Sequence, residues 1–280
     1  IKKYSIPDNS LIVDIGSNDG TLLNEYKKRN MRVLGIEPTN TGDFARKRDI
    51  DTLQEFFTEE IGKQISSEYG KAKLVTATNV FAHMATMGEV IRGVINILDD
   101  DGIFIFENHY IVDILKGNQY DTVYHEHIRS YSLKSIICLF DMYDMKVVDA
   151  EVVNRYGGTI RVAVSMNQNA KVSNSIDDLM SYEHTFGLFE EKVWNDFRKN
   201  TIKSKNNLME IAIDASNKGQ RFVGKSCPGR CSTLLNYIGM GKDLMPYIAE
   251  QPTSLKLGMY LPGKHIPIVS DDLLYKEQPD

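Results

Sequence analysis

The chain has 280 residues, enough for two domains that each bury a core of their own. Its formal net charge of −5 excludes a general nucleic-acid binder, which needs a basic face. With 42% hydrophobic and 25% charged residues it has the composition of a soluble globular protein, and no apolar run approaches the ~20 residues that span a bilayer.

In chain order, Leu11–Ile15 reads as the first strand. It feeds the tight turn Gly16-Ser17-Asn18-Asp19-Gly20, and Thr21–Arg29 reads as the helix that follows. A strand, a glycine-rich turn and a helix in this order lie under a nucleotide-type cofactor. Arg32–Ile36 is the second strand, and it ends on Glu37, whose carboxylate suits the two hydroxyls of a ribose. Asn18 stands where the G-x-G-x-x-G loop of dinucleotide binders has its second glycine. The loop and Glu37 together therefore favour S-adenosylmethionine, which has no pyrophosphate to cradle, and weaken the case for an NAD-dependent oxidoreductase.

Thr41–Arg48 is a short helix, Asp51–Leu53 a short third strand and Thr58–Tyr69 an amphipathic helix. Lys73–Ala77 is strand four, and Met87–Leu98 is a helix with apolar residues three and four apart. Asp99-Asp100-Asp101-Gly102 is a turn into strand five, Gly102–Glu107. Lys134–Met142 is helical, and Lys146–Val153 and Thr159–Ser165, separated by Tyr156-Gly157-Gly158, are the last two strands. Alternating β and α elements predict a parallel sheet covered by helices on both faces. Residues 171–218 are polar and helical, a connector after a first domain of residues 1–170. A new strand is expected over Gln220–Gly224, then a glycine-rich loop and a helix over Ser232–Ile238, opening a partial second α/β domain of residues 219–280. Leu257–Leu261 and Ile266–Val269 are too few apolar residues to finish a sheet.

The opening Ile1-Lys2-Lys3-Tyr4 has no apolar h-region and no initiator Met, and the chain reads as a piece of a longer protein. The three cysteines, Cys138, Cys227 and Cys231, do not suggest a disulfide framework, and a single C-x3-C pair does not supply the four ligands of a structural zinc site. The absence of a disulfide framework suits a cytoplasmic enzyme.

Tyr124-His125-Glu126-His127 is the densest reactive cluster, and it follows strand five toward the carboxyl edge of the sheet, where open α/β sheets bind ligands. In an extended segment Tyr124 and Glu126 would point to one side and His125 and His127 to the other; a turn would mix them. A histidine can take a proton and return it, a neighbouring carboxylate can fix its tautomer, and a phenol can donate to a developing oxyanion. The same run is compatible with solvated surface residues, or with a metal completed by His83, Glu107 or His109; carbon methylation needs no metal, and none is expected. Asn79 and His83, after strand four, can face cofactor and substrate, or serve as a helix cap and an ordinary surface residue. Tyr110, at the end of strand five, can line the cleft or pack.

Taken together these segments resemble the sugar C-methyltransferases, which act on nucleotide-linked keto-deoxysugars. The likeness rests on Val13–Leu23, Gly35-Ile36-Glu37-Pro38, Glu55-Phe56-Phe57, Asn79-Val80-Phe81-Ala82-His83, Tyr124–His127, Tyr156–Arg161, Leu234–Tyr237 and Tyr260–Pro267. It implies a class I methyltransferase Rossmann-like sheet followed by a Rossmann-like domain, and an amino-terminal zinc-binding domain that this sequence does not include. The family's substrate-side tyrosine belongs to that part. Two departures stand out. Lys225–Ser232 replaces a small-residue loop with a lysine, whose work would fall to Arg230, and Tyr156 stands where histidine is usual.

The resemblance implies S-adenosylmethionine as cofactor, with Asp14, Gly16, Asn18, Gly20, Glu37, Phe56 and Asn79 around it. It implies a nucleotide-linked sugar substrate held by Asn79, His83, Tyr110 and Arg161. The catalytic group would be His127, Glu126, Tyr124 and His83, with His127 the base that removes a proton next to the sugar ketone and the enolate then attacking the methyl group. An O- or N-methyltransferase for another small molecule, and a cofactor-binding module without turnover, are the alternatives. Oligomeric state, sugar and methylated carbon are not legible.

Overall fold

The computed structural model describes residues 1–280. They form two compact units, residues 1–113 with 128–189 and residues 114–127 with 190–280. The sequence pattern follows chain order and divides the chain at 170 and 218. The structure also assigns residues 114–127 to the second unit, an excursion that a pattern of strands and helices does not reveal.

The first unit is built from β1 (Leu11–Ile15), α1 (Thr21–Lys27), β2 (Arg32–Ile36), α2 (Gly42–Arg46), β3 (Thr52–Leu53), α3 (Glu59–Tyr69), β4 (Ala72–Thr78), α4 (Met87–Ile97) and β5 (Leu98–His109). After α5 (Ile111–Lys116), where the chain leaves this unit, come α6 (Leu133–Asp141), β6 (Lys146–Val153), β7 (Thr159–Ser165) and α7 (Ser175–Phe186). The seven strands lie in the order β3-β2-β1-β4-β5-β7-β6. β1 through β5 pair in parallel, while β7 runs against both β5 and β6. This corrects the expectation of a wholly parallel sheet. The five residues between β6 and β7 are too few for the crossover that parallel strands need, so Tyr156-Gly157-Gly158 closes a hairpin. Asp99–Asp101, expected as a turn, lies within β5.

Alternate residues of the strands bury on opposite faces, as the pleat requires. Ile12, Leu74, Ile103, Ala163 and Val148 pack with Leu23 of α1 and Ala45 of α2. On the other face Phe104 and Phe106 meet Phe140 of α6 and Phe81, with ring centroids 4.6–6.1 Å apart. Helices thus cover both faces, the α/β architecture of a class I methyltransferase. The chain runs from β1 outward through β2 and β3 on one side, then crosses back to β4 on the other, so the switch point lies between β1 and β4 and the crevice opens beyond their carboxyl ends.

The second unit holds α8 (Glu191–Asn217), β8 (Gly224–Lys225), α9 (Arg230–Ile238), β9 (Ile248–Glu250), β10 (Ile268–Ser270) and α10 (Asp272–Glu277). Its three strands form a small parallel sheet in the order β10-β9-β8. The expected strand over 220–224 shrinks to Gly224 and Lys225, because Arg221 turns toward the C-terminus instead. Its N–H donates to Asp280 Oδ2 at 3.0 Å and its guanidinium to Glu277 Oε2 at 2.9 Å. Leu235, Ile238, Met245, Ile248, Leu261 and Ile266 make the core of this unit, with Ala212 of α8. No helix is long and apolar enough to cross a membrane.

Candidate active site

The main clefts of the first unit begin where β1 turns into α1. Gly16 takes φ +73°, and a Cβ there would lie 2.4 Å from Val80 Cγ1, so only glycine lets the segment after β4 close on this loop. The N–H groups of Gly16 and Ser17 both donate to the Ile36 carbonyl, at 2.8 and 3.1 Å, which ties the loop to the end of β2. Gly20 also takes a positive φ, but a Cβ there would meet Ala45 and Ile50 at 2.8 and 2.9 Å. It packs the start of α1 against α2.

Glu37, 7% exposed, is held from three directions. Thr39 donates to Oε1 through its N–H at 3.0 Å and its hydroxyl at 2.6 Å. Asn18, in the left-handed region at φ 52°, donates its N–H to Oε2 at 3.0 Å. Asn18 therefore fixes Glu37 through its backbone N–H, while its side-chain Oδ1 accepts from Asp19 N–H at 2.8 Å. A carboxylate has about four acceptor positions, so one remains for a ribose hydroxyl. Glu37 lines a cleft of about 460 Å³ whose walls are Ile36, Phe57, Val80 and Val90, with the exposed Phe56 and His83 at its rim. A flat, mostly apolar slot beside an acid matches an adenosine.

On the other side of the Gly16 loop a second cleft of about 900 Å³ has Asp14, Thr76, Thr78, Asn79, Glu107 and Arg161 among its lining residues. The Thr76 hydroxyl donates to Asp14 Oδ1 at 2.5 Å. Burial pushes the Asp14 carboxyl up to about 7, with the Thr76 hydrogen bond opposing and the Glu37 charge adding. Asn79 takes φ 56° and donates its N–H to the Glu107 carbonyl at 3.1 Å. It is not a helix cap; Val80 holds that place before the short 3-10 turn Phe81–His83. Glu107 Oε1 accepts from Arg161 Nε at 2.6 Å, and Arg161 Nη1 donates to Glu151 at 2.7 Å. Arg161 thus spans two carboxylates across the β5-β7-β6 ladder at the cleft wall.

Asn79 Oδ1 and Glu107 Oε2 are buried acceptors with no donor within the chain. Each such atom costs about 1–3 kcal/mol when left unsatisfied. Two of them in one cleft call for a ligand that brings N–H groups and positive charge, which is what the amino-acid end of S-adenosylmethionine carries. The residues present therefore fit this cofactor. Glu37 would hold its ribose, the Phe56–Phe57 slot its base, and Asn79 and Glu107 its ammonium end. Glu107, Thr76 and Thr78 were not singled out as cofactor residues in the sequence. They enter through the registers Asp14↔Thr76 and Thr78↔Glu107, which bring together residues far apart in the chain.

His83 is exposed at the rim of the adenosine slot, in a loop fixed by Arg129, whose guanidinium donates to the carbonyls of Met84 and Ala85 at 2.7 and 3.1 Å. Tyr110 departs from expectation. It is fully buried, and its hydroxyl donates to Glu183 Oε1 at 3.1 Å. Glu183 also accepts from the Leu133 and Lys134 N–H groups at 2.5 and 3.3 Å, at the start of α6. Burial raises the Tyr110 phenol well above its ordinary value, and the Glu183 charge adds to the rise. Tyr110 is a core residue, not a substrate ligand.

The Tyr124–His127 cluster lies in the second unit as a turn, closed by His127 N–H on the Tyr124 carbonyl at 3.0 Å. The turn mixes the two faces an extended strand would have separated. The Tyr124 hydroxyl donates to Glu126 Oε2 at 2.9 Å, and the Tyr124 and His127 rings meet edge-on with centroids 4.6 Å apart. His125 is left outside, its side chain 84% exposed. His127 Nδ1 lies 2.8 Å from the Thr122 carbonyl oxygen. A carbonyl only accepts, so Nδ1 carries the hydrogen and the neutral ring keeps its basic lone pair on Nε2. Burial, then the hydrogen bond to Glu126, pushes the Tyr124 phenol up to about 12, so it remains protonated. Arg230 Nε stands 3.4 Å from Asp121 Oδ2, just ahead of this turn.

Comparison with known proteins identifies the family. Residues 1–150 match the model of a methyltransferase domain, and residues 154–280 that of a C-methyltransferase C-terminal domain. The chain is 32% identical to the C-methyltransferase NovU of Streptomyces niveus over 282 residues, which span all of this chain and 67% of that protein. Among solved structures it is similar to an S-adenosylmethionine-dependent methyltransferase of Anabaena variabilis (14% identity, 58% of this chain, 79% of that one, TM-score 0.47). It is also similar to the 1,6-didemethyltoxoflavin N1-methyltransferase of Burkholderia thailandensis (11% identity, 57% and 72%, TM-score 0.45). The chain belongs to the C-methyltransferase family and is an S-adenosylmethionine-dependent methyltransferase.

Proposed function

We propose that the acceptor is the carbon next to the ketone of a nucleotide-linked keto-deoxysugar, and that His127 is the base that activates it. The observation that carries this reading is the contact of His127 Nδ1 with the Thr122 carbonyl, which sets the tautomer and makes Nε2 basic. A hydrogen next to a ketone is acidic enough for an imidazole to remove, and the resulting enolate carbon is the nucleophile a C-methylation needs. Glu126, tied to Tyr124, places negative charge beside the imidazole turn and supports the cation that forms there. Tyr124, which keeps its proton, and His83 are the groups with a hydrogen to give the enolate oxygen. Asn79, His83 and Arg161 would take part in holding the sugar. When bound, the cofactor would supply the electrophilic methyl group; Glu37 would hold its ribose, and Asn79 and Glu107 its charged end. The free thiols of Cys138, Cys227 and Cys231 suit a cytoplasmic enzyme.

Exchange of hydrogen for deuterium tests the reading. The protein is incubated in heavy water with a nucleotide-linked keto-deoxysugar and S-adenosylhomocysteine, so that deprotonation proceeds without methyl transfer. Label should enter at the carbon next to the ketone. His127→Asn should slow both labelling and turnover by ~10²–10⁴ while leaving cofactor affinity intact. Methyl transfer to oxygen or nitrogen, or turnover of His127→Asn at the wild-type rate, would overturn it.

A further inference from the structure

The second unit holds a pair of thiols that the methyl-transfer chemistry does not use. Cys227 follows β8, and Cys231 is the second residue of α9. Between them the chain makes a tight turn through Pro228-Gly229-Arg230, in which Cys231 N–H donates to the Pro228 carbonyl at 2.9 Å. The turn brings the two side chains together: Cys227 lies in the apolar core of this unit and Cys231 packs against it, and each thiol shifts the ionisation of the other. Cys227 is 4% exposed and anchored through its backbone, its N–H on Glu250 Oε2 at 3.0 Å and its carbonyl on Lys256 Nζ at 2.5 Å. Cys231 is partly exposed.

We propose that Cys227 and Cys231 are a dithiol–disulfide couple, with Cys231 the sulfur that meets an external disulfide and Cys227 the one that resolves it. The hydrogen bond from Cys231, aided by the Lys256 ammonium, lowers the Cys227 thiol, and Cys231 is raised in return. Cys227 is therefore the sulfur that gives up its proton first and accepts the one Cys231 must lose. In the first step the Cys231 proton passes to Cys227, and Cys231 sulfur attacks one sulfur of a low-molecular-weight disulfide. The S–S bond breaks, and one small thiolate leaves. In the second step Cys227 gives its proton to that thiolate and attacks Cys231 sulfur, expelling the other small thiolate, which takes a proton from water. Two cysteine sulfurs are oxidised, and one small disulfide is reduced to two thiols. The two cysteines stand at the ends of one tight turn and share one apolar cluster, so ring closure needs little backbone movement.

The bond would be felt nearby. A Cβ on Gly229 would sit 3.5 Å from Tyr124 Cε2, and Arg230 faces Asp121, so the turn between the cysteines backs the Tyr124–His127 turn within the same unit. Oxidation should therefore lower turnover. This consequence rests on the catalytic reading of that turn, whereas the thiol chemistry does not.

The test uses the whole chain with Cys138→Ser, which removes the exposed thiol of the first unit. The protein is equilibrated at fixed pH with glutathione and glutathione disulfide over a range of ratios, alkylated, and weighed by mass spectrometry. The expected product has lost two hydrogens, carries no glutathione and takes up no alkyl group. Adding Cys227→Ser should halt the reaction at one glutathione adduct on Cys231. Adding Cys231→Ser should leave Cys227 as an unreacted thiol. Two alkylated thiols at every ratio, or a glutathione adduct that persists with both cysteines present, would overturn the couple. Turnover is measured on the same samples before and after dithiothreitol. A disulfide that leaves turnover unchanged overturns the link to the turn, and a reduced protein with no sugar methylation overturns the proposed function, with the mass measurement unaffected in both cases.

Discussion

Asp14→Asn should make the first unit more stable and bind its cofactor less well, and the size of the gain can be worked from the site. Asp14 lies at the end of β1 under the second cleft, 4% exposed, with Thr76 Oγ1 on one oxygen. Its carboxyl rises from the ordinary 3.8 to about 7 because burial disfavours the charged form. The folded protein therefore holds this proton more tightly than the unfolded chain does. Below about pH 4 both states are protonated and the group costs nothing. As the pH rises toward 7 the unfolded chain ionises first and stability falls; above 7 both are ionised and the whole penalty stands. A tenfold change in ionisation is worth about 1.4 kcal/mol, so the penalty is roughly 4 kcal/mol. Asparagine keeps an acceptor for Thr76 and never ionises, so the variant should gain up to about that amount at pH 8 and little at pH 4. The assay is urea unfolding across this range, followed by far-ultraviolet circular dichroism, because the single tryptophan, Trp194, lies in α8 of the second unit and reports on the wrong domain. Parallel stability curves for the variant and the natural protein would refute the argument. S-adenosylhomocysteine affinity, read by calorimetry, should drop in the variant because an anion beneath the cleft proposed for the cofactor's ammonium end has been removed.

Two further substitutions test the remaining parts of the first unit. Glu37→Gln exchanges one acceptor oxygen for a donor facing the N–H of Thr39 or Asn18, and should weaken S-adenosylhomocysteine by about ten- to a hundredfold, the ~1.5–3 kcal/mol of a hydrogen bond to a charged group. Calorimetry that finds wild-type affinity would remove Glu37 as the ribose ligand. Glu183→Ala strands the Tyr110 hydroxyl and two N–H groups at the start of α6, and should lower unfolding stability by about 3 kcal/mol or more, at ~1–3 kcal/mol for each buried polar group left without a partner. A change under 1 kcal/mol in denaturant titration would show that water or other groups replace it.

How much of this was legible in the sequence follows the distance over which each feature is determined. The Gly16 turn and Glu37 were readable because a strand, a turn and the tip of the next strand fix their geometry within about twenty residues, and Asn18 turned out to belong to that same local device. The sequence leaves Tyr110 between cleft and core because its burial is decided by Glu183, 73 positions away. Glu107 was passed over as a cofactor residue because its significance lies in a register, Thr78↔Glu107, and in an orphaned oxygen, neither of which is a property of its neighbours in sequence. The reversed strand β7 was readable in principle. A two-glycine turn between runs this close cannot carry a parallel crossover, and the length of the connection should have outweighed the α/β alternation of the earlier chain.

The Tyr124–His127 segment shows the same distinction at the site itself. Its residue types announced acid–base chemistry, but strand alternation would have paired Tyr124 with Glu126 and set both against His127. What joins all three is the local turn, with Tyr124 N–H on the Thr122 carbonyl at 3.2 Å and that same carbonyl oxygen taking the hydrogen of His127 Nδ1. One backbone oxygen thereby fixes both the shape of the turn and the protonation pattern of its imidazole. Replacing Thr122 changes the side chain but keeps this carbonyl. The tautomer of His127 is therefore protected by the main chain, and its basicity should survive substitution at 122 so long as the turn still forms.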